Sequence, residues 1–99
     1  MDVVYSDRAI EEISSFSEEV RDKIRSKIER LKNNPTGHEN SKLIRIAGRE
    51  IYRLEIRDSR GAEFDHRAVY DYENTKIRIY SVIDRDEGYD EDKISEEFK

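Results

Sequence analysis

Three residues at alternate positions, Arg53, Glu55 and Arg57, set the chemical question posed by this 99-residue chain. Side chains of an extended strand alternate between its two faces, so these three share one face while Tyr52, Leu54 and Ile56 share the other. A guanidinium group does not give up its proton in a protein. It acts instead as a planar fork that grips carboxylates or phosphate oxygens two at a time. Arg67 falls in the next strand-like run and joins the same face if the two strands pair in the expected register. Glu55 is a carboxylate set among these cations. It can serve as a base, weakened by its neighbours, or simply pair with Arg53, Arg57 or Arg67.

Other chemistry is thinly represented. His66 adjoins Arg67 and should face the opposite side, where it packs, and His38 sits in a polar loop. Two histidines so far apart, with no carboxylate pattern beside them, do not make a metal site. There are no cysteines, which excludes disulfides and thiolate chemistry. No glycine-rich phosphate loop is present, and the acidic run from Asp84 to Asp92 lacks the spacing of a calcium loop. Tyr70, Tyr72 and Tyr80 read as sheet packing. Neither a metal nor a cofactor is expected.

The elements that must position these residues follow from apolar periodicity. Val3, Val4 and Tyr5 suit a short strand, and Ser6 or Asp7 can cap the helix after it. Ala9, Ile10, Ile13 and Phe16 form a stripe on that helix. Ser15-Phe16-Ser17-Glu18 has capping-box spacing, and Val20, Ile24, Ile28 and Leu31 give a second amphipathic helix. Asn33-Asn34-Pro35 ends it. Residues 36–49 read as a loop punctuated by Gly37 and Gly48, with Leu43, Ile44 and Ile46 tucked under the helices. Three strands follow, near Glu50–Arg57, Asp65–Tyr72 and Lys76–Ile83, with a tight turn at Glu73-Asn74-Thr75. The helices need an apolar partner, so the Tyr52 face is the core and Arg53, Glu55 and Arg57 lie on the open face. Ile94 and Phe98 suggest a short closing helix within an acidic tail, residues 90–99. The fold class is α+β: an N-terminal strand, then an α-hairpin packed on a small antiparallel twisted sheet, in the order β-α-α-β-β-β. Residues 1–99 form a single domain.

Charged residues make up 43% of the chain and the net charge is −5, so the pattern of charge matters more than its sum. Residues 1–41 carry 7 basic and 9 acidic side chains, residues 42–85 carry 10 and 8, and residues 86–99 carry 2 and 7. Acidity is thus concentrated in the tail and the middle is mildly basic. No apolar run approaches the ~20 residues that span a bilayer, and the N-terminus lacks the apolar stretch of a signal peptide. A cytoplasmic location with no membrane association is expected.

Three local patterns carry a resemblance. Tyr52-Arg53-Leu54, then His66-Arg67-Ala68-Val69-Tyr70, then Val82-Ile83-Asp84-Arg85-Asp86-Glu87-Gly88-Tyr89 resemble, in order and spacing, the signatures of the RelE/ParE toxin superfamily. Leu31-Lys32-Asn33-Asn34-Pro35 and Lys42-Leu43 resemble its helix end and the loop that follows. The superfamily includes ribosome-dependent messenger-RNA endonucleases and gyrase poisons, so fold alone does not set activity. The ribonuclease branch has basic residues at positions matching Arg53, Arg67 and Arg85 and a tyrosine matching Tyr89. Glu55 departs from it, standing where some of these enzymes have lysine. The resemblance implies a toxin of a type II toxin–antitoxin pair, a metal-independent messenger-RNA interferase acting in the ribosomal A site. Its partners would be a cognate antitoxin, the ribosome and mRNA. The alternative is a protein of the same fold that acts by binding, to an antitoxin, to gyrase or at a promoter, and cleaves nothing.

On the ribonuclease reading, cleavage needs a base for the 2′-hydroxyl, charge balance for the phosphorane and a proton for the 5′-oxygen. Arg67 and Arg85 are assigned to the scissile phosphate, with Arg53 in support. Arg57 and Arg60 are assigned to the flanking RNA. Glu55 and Tyr89 are the candidates for proton transfer, and Tyr89 equally suits stacking on a splayed base.

Overall fold

The computed structural model of the chain describes residues 2–35, 41–57, 65–84 and 87–98. The first helical segment starts at Ser6, whose Oγ accepts a hydrogen bond from Ala9 N (3.0 Å) and donates to the Tyr80 carbonyl (2.8 Å). One side chain therefore caps the helix and pins it to the sheet. Strand β1 (Asp2–Tyr5) precedes it, and helices α1 (Asp7–Ser14) and α2 (Glu18–Glu29) follow, α2 running on into a 3-10 turn at Arg30–Lys32. The cap of α2 is Ser17, which accepts from Val20 N at 3.4 Å.

Ala9, Ile13, Ile24, Ile28 and Leu31 are buried from the helices against Leu54, Ile56, Ala68, Tyr70, Ile77, Ile79 and Val82 from the sheet, with Tyr52 packed at the margin. This is the face that alternation assigns to the core. Fully burying an aliphatic side chain of this kind is worth roughly 1.5–3 kcal/mol. Ile10 lies outside the stripe and is 54% exposed. Successive helical residues are about 100° apart, so the neighbour of Ala9 turns to solvent.

The sheet has five strands in the order β1-β5-β4-β3-β2, with β2 at Ser41–Ile46, β3 at Arg49–Arg57, β4 at Asp65–Glu73 and β5 at Lys76–Asp84. It is mixed: β1 runs parallel to β5, while the other pairings are antiparallel. From β1 the chain passes through α1 and α2 to the far edge of the sheet, enters it as β2 and returns through β3 and β4 to β5, which lies beside β1.

Strand β2 corrects the expectation of a loop over residues 36–49. Ile46 pairs with Arg49 across a two-residue turn in which Ala47 (φ 50°) and Gly48 (φ 79°) both have positive φ. Such a turn matches the twist of the strands it joins. Nor do Leu43, Ile44 and Ile46 tuck under the helices. Leu43 is 56% exposed, and Ile44 and Ile46 belong to a second apolar cluster on the opposite face of the sheet. Residues 36–40 of that loop, and the 58–64 link between β3 and β4, lie outside the described residues.

An alanine at φ 50° is a costly choice, since an L-residue in the left-handed region is disfavoured by about 1 kcal/mol. Ala47→Asn creates the preferred Asn-Gly pair. It is expected to raise stability by about 0.5–1 kcal/mol, read as a higher urea midpoint at unchanged slope. An unchanged or lower midpoint would show that the turn is not under this strain.

The second cluster is closed by helix α3 (Glu91–Glu96), where the sequence suggests a short helix. Ile94 is fully buried against Ile46, Ile51, Val69 and Tyr80, with Phe98 edge-on to Tyr80 (4.9 Å). Glu91 Oε1 accepts from Ala47 N at 3.2 Å, tying α3 to the β2–β3 turn.

Candidate phosphate-binding site

The face opposite α1 and α2 is divided in two. One part is the apolar patch under α3. The other is charged and is built from β2, β3 and β4. Arg53, Glu55 and Arg57 project from β3 at alternate positions, as their spacing predicts. The β3–β4 register sets Glu55 opposite Arg67 and Arg57 opposite Asp65, so Arg67 joins this face. The β2–β3 register sets Lys42 opposite Arg53.

Lys42 is a cation the sequence reading did not count. The signal for it was present in the alternation of Lys42, Ile44 and Ile46 before an Ala-Gly turn. It was obscured because Ala-Gly is not a usual hairpin pair. Arg85 and Arg60 lie outside the described residues.

The cations on this face fall into two states. Arg53 Nη2 donates to Glu55 Oε1 at 3.2 Å, and both side chains are more than four-fifths buried. Arg57 Nη2 lies 3.5 Å from Glu55 Oε2, and its Nε lies 3.4 Å from Asp65 Oδ2. Both oxygens of Glu55 therefore meet guanidinium groups. By contrast, the Nε of Arg67 is buried and has no hydrogen-bond partner among the described residues, and the same holds for Arg53 Nε and Tyr89 Oη. Tyr89 packs at the rim of the cluster under α3, so it stands on the same side of the sheet. Buried polar groups are normally paired, and leaving one unpaired costs about 1–3 kcal/mol. Arg53 Nε, Arg67 Nε and Tyr89 Oη are thus three buried donors on one side of the sheet with no acceptor among the described residues.

The reverse face is structural. His66 stacks edge-on against Phe16 at 4.8 Å, and burial lowers its tendency to protonate despite nearby Asp84 and Asp65. Its position fits the expectation that it points away from Arg67. Tyr70 Oη donates to the Pro35 carbonyl, anchoring the end of the helical segment.

Strand β5, which leads toward Arg85 and Tyr89, is held from α1. Beyond Tyr80 it has no β1 neighbour, because β1 ends opposite Ile79. Glu12 covers that free edge. Its carboxylate accepts from Ser81 Oγ (2.8 and 3.0 Å) and from Val82 N (3.2 Å), with Arg8 Nε 3.8 Å away. Burial holds the Glu12 carboxyl above the ordinary carboxylate range, outweighing these hydrogen bonds.

A carboxyl with a raised folded pKa binds its proton more tightly in the folded state. Its favourable contribution is complete below the unfolded pKa and is lost as pH rises through the folded one. Glu12→Gln keeps an acceptor for Ser81 and Val82 and removes the buried charge. Its urea midpoint is expected to equal or exceed that of the wild type at about pH 7, with the gap closing toward about pH 4. A deficit at the higher pH that vanished at the lower would reverse this sign.

No group of His, Asp and Glu side chains able to hold a metal ion occurs among the described residues. No helix among them is long and apolar enough to cross a membrane.

No family model matches the chain, and no curated protein sequence does. Solved structures do. The E. coli toxin RelE in the free state, with two arginines changed to alanine, superposes with a TM-score of 0.65 at 20% identity, over 96% of this chain and 90% of that one. RelE–RelB from Pyrococcus horikoshii, an archaeal complex, gives 0.64 at 15%, over 88% and 97%. The intact E. coli RelBE toxin–antitoxin complex gives 0.62 at 19%, over 86% and 96%. The chain therefore has the α+β fold of the RelE toxins, with the likeness spanning nearly all of it.

Proposed function

We propose that the chain is the toxin of a type II toxin–antitoxin pair, and that it cleaves messenger RNA on the ribosome without a metal. The observation that carries this reading is the group of donors without a partner among the described residues, Arg53 Nε, Arg67 Nε and Tyr89 Oη, on the sheet face opposite the helices of a RelE fold. Arg67, joined by Arg85, holds the scissile phosphate and balances the charge of the phosphorane. Arg53 supports it, and Lys42, Arg57 and Arg60 contact the flanking backbone. Of the two groups able to move a proton, Glu55 has both oxygens engaged by guanidinium groups, while Tyr89 Oη has no partner among the described residues. Proton transfer therefore falls to Tyr89, and Glu55 is left as a counter-ion. The partner is a cognate antitoxin whose binding silences this face.

A translating extract tests the activity. Wild-type protein added to it is expected to halt synthesis and to create new 5′ ends inside translated messages, and only while ribosomes are moving. Halted synthesis with intact messages would replace cleavage with a binding role. Unaffected synthesis would remove the toxin reading.

A further inference from the structure

The phosphate-binding face already contains an anion of its own. Among the described residues four cations lie there, Lys42, Arg53, Arg57 and Arg67, and two of them are taken up by carboxylates. Glu55 sits at the centre. It touches Arg53 and Arg57 on its own strand and faces Arg67 across the sheet. A carboxylate offers a guanidinium fork the same paired oxygens that a phosphate does, so the two compete for one donor set. The Arg53–Glu55 pair is largely out of water, where such competition is least screened.

We infer that Glu55 is a resident phosphate mimic that gates the arginine face. It withholds Arg53 from free RNA and yields it only when a phosphodiester is held in place by other contacts. The inference rests on the reading of this face as a phosphate site. It makes Glu55 a specificity-determining residue, one that keeps the chain from binding single strands indiscriminately and so confines cleavage to RNA presented by a partner surface.

The consequence can be measured without cleavage. The probe is a labelled single-stranded decamer of 2′-deoxynucleotides, which has no 2′-hydroxyl to attack. Freeing Arg53 adds about one phosphate contact, so Glu55→Gln is expected to bind roughly fivefold tighter at about 0.1 M salt. Its plot of log affinity against log salt should steepen by roughly 0.7. A purely structural role for Glu55 would not change that slope. Glu55→Thr also removes the charge and suits a strand, so it should behave alike and keeps the test open if the glutamine variant misfolds. Arg67→Ala serves as the control for the face itself.

If wild-type binding depends on Arg67 but neither Glu55 variant changes affinity or slope, the gate is overturned while the phosphate site stands. If wild type, Glu55 variants and Arg67→Ala all bind alike, the site reading fails and the gate with it.

Discussion

Replacing Arg67 by alanine is expected to reduce messenger cleavage by roughly 10²–10³-fold, the loss usual for removing one strong donor to a developing negative charge. The effect should be large because Arg67 is an arginine with no carboxylate partner and no acceptor for its Nε among the described residues, yet stands directly across from Glu55. Its charge is available to a phosphate in a way that those of Arg53 and Arg57 are not. The melting temperature should change little, since the side chain gives the core no apolar surface. Arg67→Lys should recover little of the rate, because an ammonium keeps the charge and loses the fork. Rates are read from single-turnover cleavage on programmed ribosomes. Cleavage within a few-fold of wild type in a well-folded Arg67→Ala protein would remove Arg67 from the site.

The largest expected effect on stability lies at the other end of the same sheet face. Asp71 is nearly buried and takes four hydrogen bonds. Two come from Arg78 across the strand pair (2.8 and 3.0 Å), one from Arg49 (2.8 Å) and one from Tyr80 Oη (2.6 Å). Burial and the adjacent carboxylate hold the Tyr80 phenol well above its ordinary ionisation range. Arg49 also lies over the Phe98 ring at 4.7 Å, so the network reaches the segment that closes the second cluster.

Asp71→Ala strands a buried hydroxyl and leaves Arg49 and Arg78 without their counter-ion. The two arginines are partly exposed and can turn to water, which moderates the loss to about 3 kcal/mol. For a domain of this size that corresponds to a fall in melting temperature of roughly 15 °C. Asp71→Asn retains an acceptor and should lose about half as much. A fall of only a degree or two in Asp71→Ala would show that the network adds little to the fold.

Much of this architecture is legible in the sequence. Alternation in β3 alone separates Tyr52, Leu54 and Ile56 from Arg53, Glu55 and Arg57, and the amphipathic stripes of α1 and α2 decide which set is inside. The i, i+4 spacing of Ile94 and Phe98 points to α3. Other features depend on long-range pairing, which local pattern does not encode. Lys42 comes to the arginine face only because β2 folds back on β3 through Ala47 and Gly48. The register shift between β4 and β5 near Val69 and Tyr70 likewise depends on how the two strands meet. Glu12 reads as one more surface acid of a charged helix, and its role at the edge of β5 appears only once α1 is laid on the sheet. Nor does residue type reveal that Glu55 has both oxygens engaged while Tyr89 has its oxygen free of any partner among the described residues.

Isotope-labelled protein tests most directly whether this sheet face binds the phosphodiester. Side-chain Nε–H resonances of arginines are followed as a 2′-O-methyl RNA strand, which resists cleavage, is added. Binding through this face predicts that the signal of Arg67 moves and becomes protected from exchange, while those of Arg78 and of Arg25 on α2 stay in place. Saturable binding that shifts the helical arginines and leaves Arg67 unmoved would contradict it.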